Sequence, residues 1–591
     1  MSAQELITEH LDLWTGAVTK KSTSGRGSNG KLELTGIKKL RELILELAVR
    51  GKLVEQNPDE IPASQLIEHI AQHRKELSGT KKEKNSKPLL SVTPDEAPLK
   101  LPTGWIWTRL SSIAEINPRN SANDSLEASF IPMPLVTTSY KGEHSDESRN
   151  WGEIKKGYSH FAEGDIGLAK ITPCFENSKA AIFRNLRNGI GAGTTELHVA
   201  RPFSPAINPY FLLLFLKSPR FLTEGEKVMT GSAGQKRVPK DYFSETPLPL
   251  PPEQEQHRIV QKVDELMALC DQLEQQTSNQ LAAHETLVDT LLGTLTQSEN
   301  ATELADNWAR LAAHFDTLFT TEQSIDKLKQ TILKLAVMGR LVEQDLEDES
   351  AESLLSRLTE NRQTWLQEQS SSYPECKTML RKLGNLSTAT PPFKMPKGWQ
   401  PAHLIQLCRM LVDCHNKTAP YVEEGIPIIR TSNIRERRFN FNGMKYVNNE
   451  TYNFWSRRCP PEPGDIIFTR EAPMGEAAII PEGSTWCLGQ RTMLVRPMHE
   501  HISNRFLLLA LTEPHLLERA AEKAIGSTVK HLRVGDVENL VVPVPPLEEQ
   551  LRIVQKVDEL MALCDQLKER LNQASETRCN LAEALVEQAI S

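Results

Sequence analysis

The stretch RIVQKVDELMALCDQL occupies Arg258–Leu273 and recurs, letter for letter, at Arg552–Leu567, 294 residues further along the chain. Sixteen identical residues in the same order exceed what a shared helical composition would produce, so they indicate an internal duplication. Apolar residues recur at alternating spacings of four and three, the pattern of a coiled-coil seam. We expect the seam to provide inter-helix and partner-docking contacts through Ile259, Val263, Leu266, Leu273, Ile553, Val557, Leu560 and Leu567.

The duplication extends outward from this stretch. A proline-rich strap precedes each copy, and two further pairs of matching segments lie upstream of the straps. The pairs are PLPLPPEQEQ (247–256) with PVPPLEEQ (543–550), ILELAVRGKLVEQ (44–56) with ILKLAVMGRLVEQ (332–344), and LPTGW (101–105) with MPKGW (395–399). The chain therefore repeats one order of elements twice: a helical module, a domain and a long helix.

The residues between these anchors match only weakly, although their order persists. PLVTTSY (134–140) aligns with PIIRTSN (427–433), and EGDIG (163–167) aligns with PGDII (463–467). A shared frame with diverged domains indicates two domains that do similar work on different targets.

The fold class that follows is mixed α/β (α+β), with a pseudo-two-fold internal repeat. Two globular domains are joined by long antiparallel coiled-coil helices, one from just after Pro252 to about Thr296 and one from Pro546 to near the C-terminus. Gly51 and Gly339 are expected to end the module helices. The expected parts are a helical module (1–78), a linker (79–100), the first domain (101–250), the central long helix (251–298), a second helical module (299–371), a linker (372–394), the second domain (395–544) and the distal long helix (545–591).

The overall charge conceals an uneven distribution. The 591 residues carry a net charge of −8, yet the blocks 101–250 and 395–544 each carry +2, so the remainder carries −12. Two mildly basic domains joined by acidic segments are compatible with a nucleic-acid partner.

We expect neither a membrane span nor a secretory signal. No apolar run is long enough to span a membrane, and the N-terminal residues lack the basic and apolar regions of a signal peptide. The nine cysteines form no CxxC pair, which argues against a structural zinc site and a disulfide scaffold and favours the cytoplasm.

Several fragments suggest catalysis but lack a required residue. Residues 25–31 fit GxxxxGK, but Leu32 stands where a magnesium-binding hydroxyl is needed. Thr390-Pro-Pro-Phe393 resembles an amino-methyltransferase motif without its Asn or Asp. The pairs Gly164-Asp165 and Gly464-Asp465 predict turns that lead into strands. We therefore predict no catalytic residue and no metal site, and two alternatives remain: a self-contained DNA methyltransferase or nuclease, and a coiled-coil protein scaffold.

The duplicated helix, the two straps, the ILxLAVxGxLVEQ modules and the (L/M)PxGW pairs together resemble the specificity (S) subunits of type I restriction–modification systems. The module ahead of each domain is similar to the IB-like branch. The resemblance implies a non-catalytic, DNA-binding chain whose two target-recognition domains each read one half of a bipartite DNA target with a non-specific spacer. It also implies two methyltransferase (M) and two motor-nuclease (R) subunits as partners, which methylate adenine or translocate and cleave unmethylated DNA. S-adenosylmethionine, ATP and Mg would bind those partners, and no cofactor would bind this chain.

On that resemblance, polar residues in the loops of each domain are the candidates for DNA contacts, because such side chains bind phosphates and base edges. GSAGQK and GSTVKH occupy equivalent places in the two domains, 295 residues apart. The candidates are Thr138, Ser139, Thr194, Thr195, Gln235, Lys236 and Arg237 in the first domain, and Arg430, Ser432, Asn433, Arg435, Gln490, Arg491, Ser527, Lys530 and His531 in the second.

Overall fold

The computed structural model describes residues 8–20, 32–78, 92–97, 99–232, 234–298, 301–373, 375–523 and 531–590. The glycine-rich motif at 25–31 lies outside these residues. The chain divides into two compact units, one holding residues up to Gln280 and from Gln573 onward, the other running from Leu281 to Asn572. The two long helices are α9 (Glu253–Gln297) and α20 (Leu547–Ile590), as predicted. Each of them contributes one part to each unit.

The elements of the first unit, before α9, are α1 (Leu11–Gly16), β1 (Thr19–Lys20), β2 (Leu32–Glu33), α2 (Thr35–Val49), α3 (Ala63–Ser78), β3 (Ile106–Arg109), α4 (Leu110–Ile113), β4 (Ala114–Ile116), β5 (Glu127–Ile131), a 3-10 turn (Met133–Leu135), β6 (Glu147–Asn150), α5 (Trp151–Ile154), β7 (Ser159–Ala162), β8 (Ile166–Ala169), β9 (Ala180–Ile182), a second 3-10 turn (Arg187–Gly189), β10 (Ile190–Gly193), β11 (Leu197–Pro202), α6 (Pro209–Lys217), α7 (Pro219–Val228), α8 (Lys240–Glu245) and β12 (Pro247–Leu250).

Three helical segments form the frame of the first unit. The apolar face of α2, which includes Leu40 and Ile44, packs in one cluster with Ile259 and Val263 of α9 and with Ala582 of α20. The apolar residues of the identical stretch thus pack on the module helix as well as on the other long helix. A two-helix coiled-coil seam alone does not describe this packing, because the duplicated module supplies a third helix.

Two four-stranded sheets form the domain of the first unit. Their strand orders are β6-β5-β10-β7 and β4-β11-β8-β9, and β10 runs parallel to β5 while the other pairs are antiparallel. A separate antiparallel pair, β3 with β12, lies at the two ends of the domain sequence. The apolar run Phe211–Leu216 in α6 is buried between the domain core and the helical frame, with Phe211 and Leu214 in the cluster of the frame. The mixed α/β prediction is therefore confirmed for this domain.

The elements of the second unit, between the two long helices, are α10 (Ala301–Ala313), α11 (Phe315–Leu318), α12 (Glu322–Val337), α13 (Ala351–Glu368), a 3-10 turn (Gln369–Ser371), α14 (Glu375–Gly384), β13 (Gln400–His403), α15 (Leu404–Leu407), β14 (Cys408–Asp413), β15 (Ile426–Ile429), a further 3-10 turn (Thr431–Asn433), β16 (Ile434–Arg435), β17 (Arg438–Phe439), β18 (Lys445–Val447), α16 (Asn449–Trp455), β19 (Ile466–Arg470), β20 (Met474–Ile479), β21 (Cys487–Leu488), β22 (Thr492–Pro497), α17 (Asn504–Leu511), α18 (Pro514–Lys523), α19 (Val534–Glu538) and β23 (Val541–Val544).

The second unit repeats the frame. Leu328 and Ile332 of α12 pack with Ile553 and Val557 of α20 and with Val288 of α9. Its domain contains the sheets β14-β22-β19-β20 and β18-β15-β21, the hairpin β16-β17 and the pair β13-β23. The pair β13-β23 corresponds to β3-β12, since both join the two ends of a domain sequence.

A buried glutamine attaches each domain to its long helix. Gln256 accepts a hydrogen bond from the backbone N–H of Asn208 (2.8 Å) and donates to the carbonyl of Pro251 (3.1 Å). Gln550 does the same with Ser503 (2.9 Å) and Pro545 (3.1 Å). Because a buried polar group is costly unless it is bonded, these pairs define the position of the strap.

Gly51 and Gly339 end the module helices, as predicted. Gly51 has φ +67° and Gly339 has φ +68°, in the left-handed region that favours glycine. The N–H of Lys52 reaches the carbonyl of Leu47 (3.1 Å), and that of Arg340 reaches Leu335 (3.0 Å). Both are the six-to-one hydrogen bonds of a Schellman motif.

One expected linker contains a helix. Residues 372–394 include α14, whose Cys376 and Met379 are buried in the core of the second domain. The sequence ECKTMLRKLG is amphipathic, and packing outweighs the polar composition that suggested a linker. In the other expected linker, residues 79–91 and 98 lie outside the described residues, and Glu96 forms an ion pair with Arg109 (2.9 Å).

Candidate nucleic-acid interface

Three chain segments meet at the end of strand β8 in the first domain. The N–H of Lys170 donates to the carbonyl of Glu196 (2.9 Å), and the N–H of Val238 donates to the carbonyl of Lys170 (2.8 Å). The N–H of Thr172 donates to the carbonyl of Lys236 (3.0 Å). Backbone bonds therefore fix the loop before β11 and the segment before α8 beside the strand end.

The second domain repeats this arrangement at the end of strand β19. The N–H of Arg470 donates to the carbonyl of Arg491 (2.9 Å), and the N–H of Leu532 donates to the carbonyl of Arg470 (3.1 Å). Glu471 and His531 form an isolated antiparallel bridge, as Ile171 and Arg237 do in the first domain. We call these two places the strand-end sites, at Lys170, Glu196 and Val238 and at Arg470, Arg491 and Leu532.

The strand-end site of the first domain contains five of the seven predicted residues. Thr195, Gln235 and Lys236 are exposed, while Thr194 is half-buried and accepts a hydrogen bond from the N–H of Glu196 (3.1 Å). Arg237 forms a two-point ion pair with Glu196, with both contacts at 2.9 Å. These hydrogen bonds raise the pKa of Arg237 and lower the pKa of Glu196. Lys236 is thus the exposed cation of this loop, because Glu196 neutralises Arg237.

Thr138 and Ser139 lie beside other elements. The carbonyl of Thr138 accepts a long hydrogen bond from Lys217 of α6 (3.4 Å), whose ammonium also donates to the carbonyl of Ser178 (2.6 Å). Burial lowers the pKa of Lys217 to about 7. Tyr140, next along the chain, packs against the cluster of the helical frame. The two residues are therefore placed by the frame and by α6, and the contacts that build the strand-end site do not include them.

The predicted residues of 430–435 form a turn of their own. Asn433 is fully buried, and its amide donates to the carbonyl of Asn440 (2.9 Å) while its Oδ1 accepts from the N–H of Arg430 (3.2 Å). Arg430 donates to the carbonyl of Gly443 (2.6 Å), and Arg435 donates to that of Thr431 (2.7 Å). The expectation of a DNA contact at Asn433 is wrong, because its side chain is consumed inside the turn. Ser432 and Arg435 are exposed.

The other predicted residues of the second domain belong to its strand-end site where they are described. Arg491 is exposed, and its Nε lies 3.3 Å from a carboxylate oxygen of Glu471. Gln490 adjoins it, and His531 faces Glu471 across the isolated bridge. Ser527 and Lys530 lie outside the described residues.

Comparison with known proteins identifies the family. The sequence profile described as "Type I restriction modification DNA specificity domain" matches residues 102–283 and 396–576. The chain belongs to the type I restriction–modification specificity subunits. It is 47% identical over 598 residues to the type I restriction enzyme EcoAI specificity subunit of Escherichia coli and 43% identical over 609 residues to the EcoEI specificity subunit of the same species. Each alignment covers 100% of both chains, and the IB-like assignment fits these two relatives.

The solved structures to which this chain is similar include the HsdS subunit from Thermoanaerobacter tengcongensis. That structure is 20% identical, has a TM-score of 0.40, and covers 84% of this chain and 98% of its own. A second structure, described for the complex assembly and conformational transition of the type I R-M system, is 18% identical and has a TM-score of 0.46. It covers 83% of this chain and 99% of its own.

As a specificity subunit, the chain is a DNA-recognition component of a restriction–modification system and not its catalytic component. Within the described residues, no helix is long and apolar enough to cross a membrane, and no group of three or more His, Cys, Asp or Glu could hold a metal ion.

Sequence reasoning missed the cations at the centre of the two sites of this specificity subunit. Lys170 and Arg470 each lie five residues after the aspartate of a Gly-Asp pair, in EGDIGLAK and PGDIIFTR. The aligned Gly-Asp pairs do enter strands, as predicted, and the basic residue at the end of each strand was a readable signal.

Proposed function

We propose that each domain of this specificity subunit reads one half of a bipartite double-stranded DNA target, and that the bases between the halves are not read. The observation that carries the proposal is the duplication of the strand-end site with different side chains. Two main-chain hydrogen bonds and one isolated bridge recur in both, whereas Glu196 with Arg237 in the first corresponds to Arg491 with His531 in the second. A shared scaffold with different polar groups suits two readers of different sequences.

The solvent-facing side of the duplicated stretch indicates which partners bind. Packing in the helical frame requires only the apolar positions of the stretch to be kept, yet the exposed positions are identical in the two copies as well. Five of these exposed pairs recur at spacings of four, three, one and three, along one helix face. They are Gln261, Glu265, Ala268, Leu269 and Gln272 in α9, with Gln555, Glu559, Ala562, Leu563 and Gln566 in α20. We call each set an outer stripe.

Two identical outer stripes, on long helices that follow diverged domains, favour two copies of one partner. We assign this partner to the modification (methyltransferase) subunit, with two motor-nuclease subunits completing the complex. In this assembly the partners bind S-adenosylmethionine, ATP and Mg, methylate an adenine in the target, and translocate and cleave DNA that lacks the methyl group. A buried base is inaccessible in the duplex, so the modification subunit flips the adenine out. The cytoplasm is the compartment that this role requires.

Sequencing of the methylated motif tests the reading role. The specificity subunit is co-expressed with its modification subunits, and block 101–250 or block 395–544 is replaced by that of a relative. Each replacement should change one half of the motif and leave the other half intact. A motif that changes in both halves, or in neither, overturns the proposal.

Native mass spectrometry tests the two outer stripes. Leu269 is 45% exposed and Leu563 is 60% exposed. Leu269→Asp and Leu563→Asp should each remove one modification subunit from the complex, and the double variant should remove both. The control is Leu346→Asp, because Leu346 is 88% exposed and lies outside the duplicated stretch. Full retention of both partners by the double variant contradicts the assignment.

A further inference from the structure

A second loop adjoins the strand-end site of the second domain. The amide of Gln490 donates to the carbonyl of Asn416 (3.0 Å), and its carbonyl oxygen accepts from the hydroxyl of Thr418 (3.2 Å). The N–H of Arg491 meets the thiol sulfur of Cys414 (3.1 Å). Residues 414–418, which follow β14, are therefore tied to the loop that precedes β22.

The loop is held at both ends by packing. His415 lies edge-on against Trp455, with the ring centroids 4.6 Å apart. Ala419 is buried in a small core cluster with Ile428 and Val447. A loop fixed at both ends and in its middle loses little entropy when it binds, so the side chains at its tip are pre-organised.

The tip of the loop presents polar side chains to solvent. Asn416, Lys417 and Thr418 are exposed. Within the described part of the chain, no hydrogen bond or ion pair engages the Asn416 carboxamide or the Lys417 ammonium. Two further basic residues lie near this tip: Arg457, and Arg458, which is paired with Glu375 and Asp413. Burial, with Arg457, Lys417 and Arg458, lowers the pKa of His415. A free carboxamide beside a cation is the combination that reads a base edge next to a phosphate.

The corresponding loop of the first domain is used differently. Asn117 accepts a hydrogen bond from the N–H of Val199 (2.9 Å). Asn120 accepts from the guanidinium of Arg201 (2.8 Å) and donates to the carbonyl of Phe161 (2.7 Å). These two side chains are engaged inside the first domain, whereas no hydrogen bond in the described part of the chain engages the Asn416 carboxamide.

We propose that residues 416–418 form a specificity-determining loop of the second domain, in which Asn416 reads an adenine and Lys417 contacts a phosphate. The carboxamide of asparagine matches the N6 donor and N7 acceptor of adenine in the major groove. Gln490, predicted to contact DNA, is instead a positioning residue, because both polar ends of its amide hold the loop. The inference rests on the proposed reading role of this domain.

The test uses the complex with the modification subunits and reads out both the methylated motif and DNA affinity against salt. Asn416→Ala should relax one position of the second half-site and leave the first half-site unchanged, which serves as the internal control. Lys417→Gln should weaken binding to all sequences alike and reduce the slope of log K against log salt by about 1. Asn572→Ala, at an exposed asparagine on α20, should change neither readout.

Gln490→Met keeps the length of the side chain and removes both hydrogen bonds. It should relax the same motif position as Asn416→Ala, and the double variant should be no more relaxed than the single variants. An unchanged motif and affinity in Asn416→Ala overturns the loop assignment. If replacement of block 395–544 still changes the second half-site in that case, the reading role of the domain stands and only the loop is excluded.

Discussion

Arg496 and Asp465 form a buried two-point ion pair in the second domain, with Nε–Oδ1 and Nη2–Oδ2 both at 2.8 Å. Asp465 belongs to the Gly-Asp turn that enters β19, and Arg496 lies near the end of β22. The pair therefore ties β19 to β22 at the ends of these strands that lie away from the strand-end site. Arg201 and Asp165 form the same pair in the first domain, at 2.9 and 2.8 Å.

Asp465→Asn should destabilise the second domain by about 3 kcal/mol, because the buried Arg496 guanidinium then keeps only the exposed carboxylate of Glu462, 3.3 Å away, as a counter-charge. Chemical denaturation measures this loss. The control is Glu500→Gln, which breaks the more exposed pair with Arg409 and should change stability by less than about 1 kcal/mol. Equal effects of the two variants would refute a structural role for the buried pair.

His198 makes the first domain sensitive to acid. Its Nε2 lies 3.0 Å from the carbonyl of Val238, and the ring stacks on Phe243. Burial is the main cause that lowers the pKa of His198 to about 4 from 6.5. The unfolded chain therefore binds more protons than the folded chain between these values. The contribution of neutral His198 to the free energy of unfolding is therefore fully present above pH 6.5. It declines by about 3 kcal/mol as the pH falls towards 4.

His198→Gln keeps a donor for Val238 and removes the titrating ring, so the unfolding midpoint should depend less on pH between 6.5 and 4. Denaturation at a series of pH values measures the difference. His314→Gln, at an exposed histidine, should keep the pH dependence of the unaltered protein. A pH dependence that persists in His198→Gln would assign the acid sensitivity to other groups.

Gly51 and Gly339 each combine a left-handed backbone with a crowded position. An added Cβ at Gly51 would lie 2.5 Å from Pro102, and one at Gly339 would lie 2.5 Å from Pro396. Gly51→Ala should therefore cost more than the roughly 1–2 kcal/mol of the backbone conformation alone. Gly157→Ala isolates the backbone cost, since Gly157 has φ +80° and nothing within 4 Å of an added Cβ. Equal losses of unfolding free energy in the two variants would show that the proline contact is unimportant.

The long helices could be predicted from the sequence because their signals are local. The proline straps fix where they begin, and the spacing of Ile259, Val263 and Leu266 fixes the buried face. The same spacing does not reveal which helix covers that face. The module helix α2 supplies much of the cover, and this depends on tertiary packing between segments some 200 residues apart.

The candidate sites were predicted in part, for a similar reason. Gln235 and Lys236 were predicted because a small, basic loop is readable in the sequence; both are exposed at the strand-end site, and their contact with DNA stays a prediction. In the sequence, Asn433 also looks like an exposed polar loop residue. In the structure its amide donates a hydrogen bond to the carbonyl of Asn440, and only the folded turn brings these two residues together. The side chain of Gln490 is likewise taken by Asn416 and Thr418.

Lys236 and Arg237 are adjacent cations with different expected effects on DNA binding by the first domain. Lys236 is exposed, whereas Glu196 holds both arms of the Arg237 guanidinium. Lys236→Gln should weaken binding to all DNA sequences and reduce the salt slope by about 1, because one phosphate contact is lost. Glu196→Gln should strengthen binding and increase the salt slope, since it removes the charge that neutralises Arg237.

The two slopes are measured by fluorescence anisotropy of labelled DNA with the complex, between low and physiological salt. Lys227→Gln, on the exposed face of α7 and paired there with Glu224, is the control and should leave the slope unchanged. If Lys236→Gln matches that control, or if Glu196→Gln lowers the slope, the loop does not face the phosphates in this way.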